Sequence, residues 1–156
     1  MTATSDNKPG VEQSANTAKD HAETTMGPAP ELDELNAFFW TSGADGELRM
    51  QYCDECHYWQ HPPSVCCRKC LGEGIAAKPL AGTGTVGAIT VNRMPWMPGL
   101  KVPYILVIVE LDEQPGLRLT SAMPGVEPGA VQIGDRVKVC FEQREDVWVP
   151  FFELLS

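Results

Sequence analysis

The sequence predicts a mainly β protein in three parts: a short N-terminal helix, a rubredoxin-like zinc ribbon and a five-stranded OB-fold barrel. Two observations carry this prediction. Two Cys-x2-Cys pairs stand ten residues apart in the first half of the chain, and pairs of this kind bind one Zn²⁺ in zinc ribbons. Five short apolar runs separated by Pro/Gly turns then fill residues 81–156, which is typical of a small barrel or sandwich.

Charge and hydropathy exclude several classes of protein. The 156 residues include 12 Lys and Arg against 21 Asp and Glu, a formal charge of -9 with His neutral. Nonspecific binding to nucleic acid or to an anionic membrane needs clustered cations, so the acidic balance disfavours both. The longest aliphatic and aromatic run, 104–109, is far shorter than the roughly 20 residues of a membrane span. With no apolar secretory segment near Met1, we expect a cytoplasmic protein whose paired cysteines bind metal.

The N-terminal region divides into a tail and a helix. Residues 1–30 contain no Phe, Trp, Tyr, Leu or Ile. Such a segment cannot bury enough apolar surface to offset the entropy of ordering, so we expect a disordered tail. Residues 31–46 are predicted as an amphipathic helix, because Leu32, Leu35 and Phe39 recur at helical spacing and acidic residues occupy its first turn.

The zinc ribbon is predicted over residues 47–80. Its two knuckles supply four candidate ligands, which are Cys53, Cys56, Cys67 and Cys70. Four thiolates complete a tetrahedral Zn²⁺ shell and leave no position for a reacting water, so we expect a structural role. Cys66 is an alternative to Cys67, although it lengthens the second knuckle to Cys-x3-Cys, and iron is an alternative to zinc. His57 and His61 are expected outside the metal shell.

The OB-fold barrel is predicted over residues 81–156. Its five strands are predicted at 83–93, 103–112, 117–122, 135–143 and 147–154. Glycines at 82, 84 and 87 also match G-x-G-x-x-G, the fingerprint of dinucleotide sites, but that fingerprint needs a helix straight after it. The residues that follow here are mostly β-branched and then rich in proline. We therefore predict a strongly curved strand and no dinucleotide site.

The last predicted strand is apolar on both faces. We expect Val147, Val149 and Phe151 to face the core, and Trp148 and Phe152 to face outward. An apolar outer face must be covered, either by the N-terminal helix or by another protein chain. Trp148 and Phe152 are therefore candidate partner contacts.

The loop between the first two barrel strands is a candidate binding loop. It places Trp96 between Arg93 and Lys101. An exposed aromatic ring with neighbouring cations suits an anionic, partly planar ligand such as a nucleotide moiety. The alternative is ordinary packing of Trp96 within the loop. Cys140 has no histidine near it in sequence, so we expect a partly covered thiol rather than a nucleophile.

The chain combines a helix ending in Phe-Phe-Trp, the two knuckles with Pro62-Pro63 between them, and the segments 82–86, 102–112, 133–137 and 149–152. In this order, these segments resemble the zinc-ribbon/OB-fold, acyl-CoA-associated family, long known as a domain of unknown function. The chain departs from the family pattern at His57, where a glycine is usual, and at Ser64, where an arginine is frequent. Cys66 is an additional cysteine.

The resemblance implies an accessory subunit rather than an enzyme. Members accompany thiolase-like or lipid-transfer-type partners that act on acyl-CoA thioesters by thiolysis, condensation or retro-aldol cleavage, including in steroid side-chain degradation. We therefore expect a non-catalytic, Zn²⁺-binding subunit of a hetero-oligomer. In this hypothesis Arg93, Trp96 and Lys101 contact acyl-CoA, while Trp148 and Phe152 contact the thiolase-like partner.

Three alternative functions belong to other classes. An OB-fold can bind single-stranded nucleic acid through aromatic side chains in a basic groove. Residues 1–30 carry -2 of the total charge of -9, so residues 31–156 keep -7, which disfavours that function. An iron-loaded electron carrier and a stand-alone acyl-CoA hydrolase are the other two alternatives.

Overall fold

The structure is a computed structural model and describes residues 28–155. The predicted tail therefore lies outside the described residues up to position 27. One helix, α1 (Ala37–Thr41), and a 3-10 turn (Ser42–Asp45) precede eight strands. The strands are β1 (Leu48–Cys53), β2 (Tyr58–Gln60), β3 (Ile75–Leu80), β4 (Thr83–Asn92), β5 (Tyr104–Leu111), β6 (Arg118–Ala122), β7 (Arg136–Arg144) and β8 (Val147–Leu154). None of the helices in the described part is long and apolar enough to cross a membrane.

The N-terminal helix is shorter than predicted and begins at Ala37. The Asp33 carboxylate accepts hydrogen bonds from the backbone N–H groups of Leu35, at 2.9 Å, and Asn36, at 2.7 Å. A short acidic side chain that binds nearby N–H groups in this way stabilises a turn in place of a helix. The acidic residues predicted in the first helical turn consequently lie before the helix.

The ribbon is a three-stranded antiparallel sheet in the order β2-β1-β3. Leu48, Met50 and Tyr52 alternate with polar residues, so β1 is predictable from the sequence, whereas β2 and β3 are not. β2 has three residues, and β3 reads Ile-Ala-Ala-Lys-Pro-Leu, without apolar alternation. All six residues of β1 pair with β3, from Leu48 opposite Leu80 to Cys53 opposite Ile75. Backbone pairing with the centre strand, rather than side-chain pattern, therefore defines these two strands.

The second sheet is a closed barrel with strand order β6-β5-β4-β7-β8. The two end strands meet where the Ser121 hydroxyl donates a hydrogen bond to the Pro150 carbonyl at 2.6 Å. Each predicted strand agrees with an observed one to within one residue at either end. The glycine-rich segment forms the start of β4, and its register shifts between Val86 and Ala88, a bulge at Gly87 that bends the strand. The structure therefore confirms a strand here rather than a nucleotide-binding turn.

The two faces of β8 are the reverse of the prediction. Strand pairing sets Phe152 opposite Val139 and Phe151 opposite Cys140. Opposite residues of an antiparallel pair share a face, so Phe152 lies inside the barrel with Val139 and has no exposed surface. The prediction that Phe152 faces a partner is wrong. Both faces of this strand are apolar, and in that case only the register decides which one is inside.

The N-terminal segment covers the region around Trp148. A Cβ atom added at Gly43, in the 3-10 turn, would lie 2.5 Å from the Phe141 ring and 2.5 Å from Trp148 Cβ. Only glycine allows so close an approach. The 3-10 turn therefore packs against the end of the β7–β8 pair, on the face that Trp148 shares with Phe141.

One hydrophobic core joins the three parts. Phe39 from the helix, Leu48 and Met50 from the ribbon, and the inward side chains of the barrel form one buried cluster. Since the ribbon and the barrel share this core, the position of the cysteine cluster relative to the barrel is set by packing.

Candidate metal centre

Four cysteines meet at one end of the ribbon. The Sγ atoms of Cys53, Cys56, Cys67 and Cys70 all lie within 4.8 Å of one another. Cys53 and Cys70 are 3.6 Å apart and Cys56 and Cys67 are 3.5 Å apart, both between Sγ atoms. Cys66 does not belong to this cluster, and its half-buried thiol is free.

Each knuckle turns back through a left-handed residue directly after its second cysteine. His57 has a φ of 55° and Leu71 a φ of 62°. This conformation costs an L-residue about 1 kcal/mol relative to glycine, which explains why a glycine suits the first of these positions. At His57 part of the cost is offset, because Nδ1 of its ring hydrogen-bonds to the Tyr52 hydroxyl at 2.9 Å.

Backbone N–H groups point at the sulfurs of the second knuckle. The N–H of Lys69 donates to Cys67 Sγ and that of Gly72 to Cys70 Sγ, each at 3.4 Å. Glu55, from the first knuckle, accepts a hydrogen bond from the N–H of Gly74 at 3.0 Å. The two N–H to Sγ bonds favour the thiolate form of these cysteines. The Glu55–Gly74 bond links the first knuckle to the segment that follows the second.

The cluster fits Zn²⁺. A tetrahedron with Zn–S bonds of 2.3 Å has edges of about 3.8 Å, close to the Sγ–Sγ distances of the Cys53–Cys70 and Cys56–Cys67 pairs. Burial opposes ionisation of Cys67, but the N–H groups of Cys70 and Lys69 outweigh it and lower the pKa of its thiol to about 6. Burial, and then hydrogen bonds with the other three cysteines, raises the pKa of Cys56 to about 12. Four thiols this close ionise together only when a cation offsets their charge.

A buried polar network supports the loop that carries the second knuckle. The side chains of Gln51, on β1, and Gln60, on β2, hydrogen-bond to each other at 2.9 Å and are 7% and 2% exposed. The Gln51 side chain also accepts a hydrogen bond from the Ser64 N–H at 2.8 Å and donates one to the Ser64 carbonyl at 3.0 Å. Gln60 accepts from the Arg68 N–H at 2.9 Å. Sequence reasoning missed both glutamines; their only signal was an amide within β1 and another at the end of β2.

The network also assigns roles to two residues that stood out in the sequence. Ser64 Oγ donates to the Cys66 carbonyl at 2.5 Å and lies 3.2 Å from Gln60 Nε2. Ser64 therefore completes the buried network at the position where the family often has an arginine. Cys66 contributes its carbonyl to the network. The two histidines considered as ligands, His57 and His61, lie outside the four-sulfur cluster.

The predicted binding loop lies on the barrel, between β4 and β5. Arg93 and Lys101 are exposed, and Trp96 is 66% exposed. The Trp96 indole N–H donates to the Tyr104 hydroxyl at 2.8 Å. The ring is therefore held at its N–H edge, and about two-thirds of the residue is exposed to solvent.

Two family models match consecutive parts of the chain. Residues 40–76 match the rubredoxin-like zinc ribbon domain of ChsH2, and residues 77–142 match the C-terminal OB-fold domain of ChsH2. The boundary between the two models falls within β3, close to the predicted ribbon end at residue 80.

Curated relatives include subunits of larger complexes. The chain is 34% identical over 107 residues to a probable enoyl-CoA hydratase alpha subunit of Thermomonospora curvata. It is 31% identical over 119 residues to the 3-oxo-4,17-pregnadiene-20-carboxyl-CoA hydratase alpha subunit of Mycobacterium tuberculosis. These matches cover 69% and 76% of this chain but only 33% and 37% of the relatives, so the chain spans about a third of their length.

Two further matches cover most of the protein compared. A DUF35 domain-containing scaffold protein of Methanothermobacter thermautotrophicus is 29% identical over 93 residues, which are 58% of this chain and 68% of the relative. A solved chain of the Ltp2-ChsH2(DUF35) aldolase matches with a TM-score of 0.72 and 30% identity, over 81% of this chain and 98% of that chain. The ordered ribbon and barrel, the two consecutive family models and this structural match show that the chain belongs to the ChsH2 family of zinc-ribbon/OB-fold proteins.

Proposed function

We propose that this chain is a non-catalytic accessory subunit of an acyl-CoA-processing complex, in which a thiolase-like or lipid-transfer-type partner performs the chemistry. The observation that carries the proposal is the match to a chain of the Ltp2-ChsH2(DUF35) aldolase, because it spans 98% of that chain. The names of the other relatives, two alpha subunits and one scaffold protein, are consistent with a subunit role.

The metal centre supports a structural rather than a catalytic role. A shell of four thiolates leaves Zn²⁺ no open position at which to bind substrate or activate water. The ion would instead join the two knuckles, and its binding energy would become folding energy for a sheet of three short strands. Cys140 is not a credible nucleophile either, because burial, followed by the charges of Glu153 and Glu142, raises the pKa of its thiol to about 11.

The loop at residues 93–103 is the proposed contact with acyl-CoA. Trp96 presents an open ring face for stacking on adenine, and Arg93 and Lys101 bring positive charge for phosphate groups. Met94 is 71% exposed in the same loop. Because Phe152 is buried, the proposed partner contact keeps Trp148 and adds this loop, where ligand and partner would meet. The acidic remainder of the chain repels phosphates, so we expect the partner to supply further cations to a shared site.

Co-purification tests the proposal. The chain is co-expressed with a thiolase-like or lipid-transfer-type protein encoded by the same genome, and the pair is analysed by size-exclusion chromatography and acyl-CoA turnover. We expect one stable complex whose activity exceeds that of the partner alone. Separate elution with unchanged partner activity overturns the accessory role.

A matched pair of variants tests the loop. Trp96→Ala removes the ring proposed to stack on adenine, and Ile133→Ala truncates another apolar side chain, 70% exposed, outside the loop. Loss of a stacked base costs about 1–3 kcal/mol, so we expect at least a fivefold rise in the KM for acyl-CoA with Trp96→Ala only. Equal KM values for the two variants exclude the loop as the CoA contact.

A further inference from the structure

A cavity of about 270 Å³ lies where β6 and β8 close the barrel and where α1 and the ribbon residue His61 meet that seam. Its apolar walls come from the helix and the barrel and include Phe39, Trp40, Leu106, Leu119, Val149 and Phe151. None of the four clustered cysteines and no residue of the loop at 93–103 lines the cavity, so neither the metal centre nor the proposed CoA contact accounts for it.

The polar groups of the cavity are few. The Ser121 hydroxyl already donates to the Pro150 carbonyl, and Thr120 is an exposed residue of β6. The His61 ring stacks on Phe39 with ring centroids 4.6 Å apart. Within residues 28–155 its ring nitrogens make no hydrogen bond to protein, and His61 is only half-buried, so one donor and one acceptor remain open to solvent or to a ligand.

The cavity carries no charge. Among residues 28–155, no Asp, Glu, Lys or Arg side chain lines it. Burial, and then the nearby charge of Arg68, lowers the pKa of His61 to about 4, so the imidazole is neutral at pH 7. A charged group would lose part of its hydration on entering, with no charged side chain in the lining to replace it, which disfavours its binding.

We propose that this cavity binds an uncharged apolar chain of about nine non-hydrogen atoms that carries one hydrogen-bonding oxygen, and that His61 pairs with that oxygen. A methylene group occupies roughly the volume of a liquid water, about 30 Å³, which sets the length. The volume lies just below the range of about 300–1,000 Å³ for drug-sized ligands. The oxygen belongs to a ketone, an alcohol or a thioester carbonyl, each of which suits a neutral imidazole.

Water is a poorer occupant of this site than such a chain. An ordered buried water makes about three hydrogen bonds, whereas the polar side chains that line this site are His61, Thr120 and Ser121, and the Ser121 hydroxyl already donates to Pro150. Release of water from apolar walls therefore favours binding, at about 25 cal/mol for each Å² of apolar surface covered. This inference does not rest on the proposed accessory role, because it concerns a site contained within one chain.

The test is a titration of the full chain alone with nonan-2-one, followed by Trp fluorescence and by NMR of the His61 ring. Trp40 lines the cavity and reports occupancy. We expect a Kd of roughly 0.1–1 mM, in line with the affinity limits of small ligands, and at least tenfold weaker binding of the charged nonanoate. No binding of the ketone, or equal binding of nonanoate, overturns the proposal.

Variants locate the site. Val149→Trp fills the cavity, and we expect it to weaken nonan-2-one binding at least tenfold, whereas Ile133→Trp, on an exposed loop, leaves the Kd unchanged. Thr120→Trp at the exposed rim is the second filling variant, used if Val149→Trp does not fold. Wild-type affinity in a folded cavity-filling variant overturns the assignment.

His61→Phe keeps an aromatic ring against Phe39 and removes the hydrogen bond. We expect it to weaken nonan-2-one binding about threefold to tenfold, and unchanged binding excludes His61 as the polar partner.

Competition by nonanoyl-CoA for the nonan-2-one site would identify the acyl end of a thioester as the source of the chain. Without competition, the source is a free lipid-like molecule. Both outcomes support the site, and neither depends on the partner protein.

Discussion

Trp59 and Gln114 exchange two hydrogen bonds across the junction of ribbon and barrel. The Trp59 N–H donates to Oε1 of Gln114 at 2.9 Å, and Nε2 of Gln114 donates to the Trp59 carbonyl at 3.1 Å. The side-chain amide thereby satisfies the outer edge of β2 as a neighbouring strand would. Close by, Glu113 accepts from the Ala81 N–H at 2.6 Å. The turn between β5 and β6 therefore holds the metal-binding sheet against the barrel.

Replacing Gln114 is expected to loosen this junction. Gln114→Ala leaves the N–H and carbonyl of Trp59 without protein partners, so we expect the free energy of unfolding to fall by about 1–2 kcal/mol. Urea unfolding measures the change. Gln132→Ala, at an exposed position on another turn, is the control and is expected within about 0.5 kcal/mol of wild type. If both variants have the free energy of unfolding of the wild type, the Gln114 amide does not stabilise the junction of ribbon and barrel.

Adjacent cysteines provide a test of the metal ligands. Cys67 belongs to the four-sulfur cluster and Cys66 does not. We expect Cys66→Ser to bind about one Zn²⁺ per chain and to remain folded, and Cys67→Ser to lose the metal and much of its structure, since binding energy is folding energy here. Metal analysis and circular dichroism give the answer. The reverse result would exchange the roles of the two cysteines, and a coloured wild-type protein would indicate iron.

Leu71 is expected to be a site where glycine stabilises the fold. Its backbone is left-handed and its side chain is 75% exposed, so little packing is lost on truncation. Leu71→Gly relieves the left-handed cost but adds entropy to the unfolded chain, and we expect a net gain of about 0.5–1 kcal/mol. Leu71→Ala keeps the Cβ atom and is expected to give no gain. Thermal unfolding at saturating Zn²⁺ compares them, and an equal gain from alanine contradicts the backbone explanation.

His61 makes stability depend on pH in the mildly acidic range. Its pKa is lowered to about 4 in the folded chain, against an ordinary value near 6.5. As the pH falls from about 6.5 toward 4, His61 binds a proton in the unfolded chain but not in the folded chain. The free energy of unfolding therefore decreases over that pH range.

The His61→Phe variant isolates this contribution. Between pH 7 and pH 5 we expect the wild type to lose about 1–2 kcal/mol more stability than the variant. Protonation of the cysteine ligands affects both proteins equally and cancels in the comparison. Urea unfolding at the two pH values gives the difference, and parallel losses would show that His61 also becomes protonated in the folded chain.

The cysteine spacing and the barrel strands were predictable because both signals are local. Two Cys-x2-Cys pairs carry the ligand set in their spacing, and apolar runs between Pro/Gly turns mark strands regardless of their neighbours. The start of the helix was not predictable from periodicity alone. The apolar residues lie at helical spacing, but the Asp33 carboxylate accepts hydrogen bonds from the N–H groups of Leu35 and Asn36. This turn takes the place of the first predicted helical turn.

The residues that support the candidate sites were harder to predict from the sequence. Gln51 and Gln60 look like ordinary strand residues in the sequence, and only folding brings their amides together beneath the second knuckle. His61 is separated by 45 or more residues from every barrel residue of its cavity. Long-range packing creates both features, and no local pattern reports such packing.

The sequence by itself determined the order of parts, the four clustered cysteines and the five barrel strands, since each depends on residues close together along the chain. Only the tertiary structure decided that Phe152 lies inside and that the 3-10 turn at Gly43 covers Trp148. The physical reason is the two-residue period of a strand: where both faces are apolar, hydrophobicity cannot choose between them, and the pairing of β8 with β7 makes the choice.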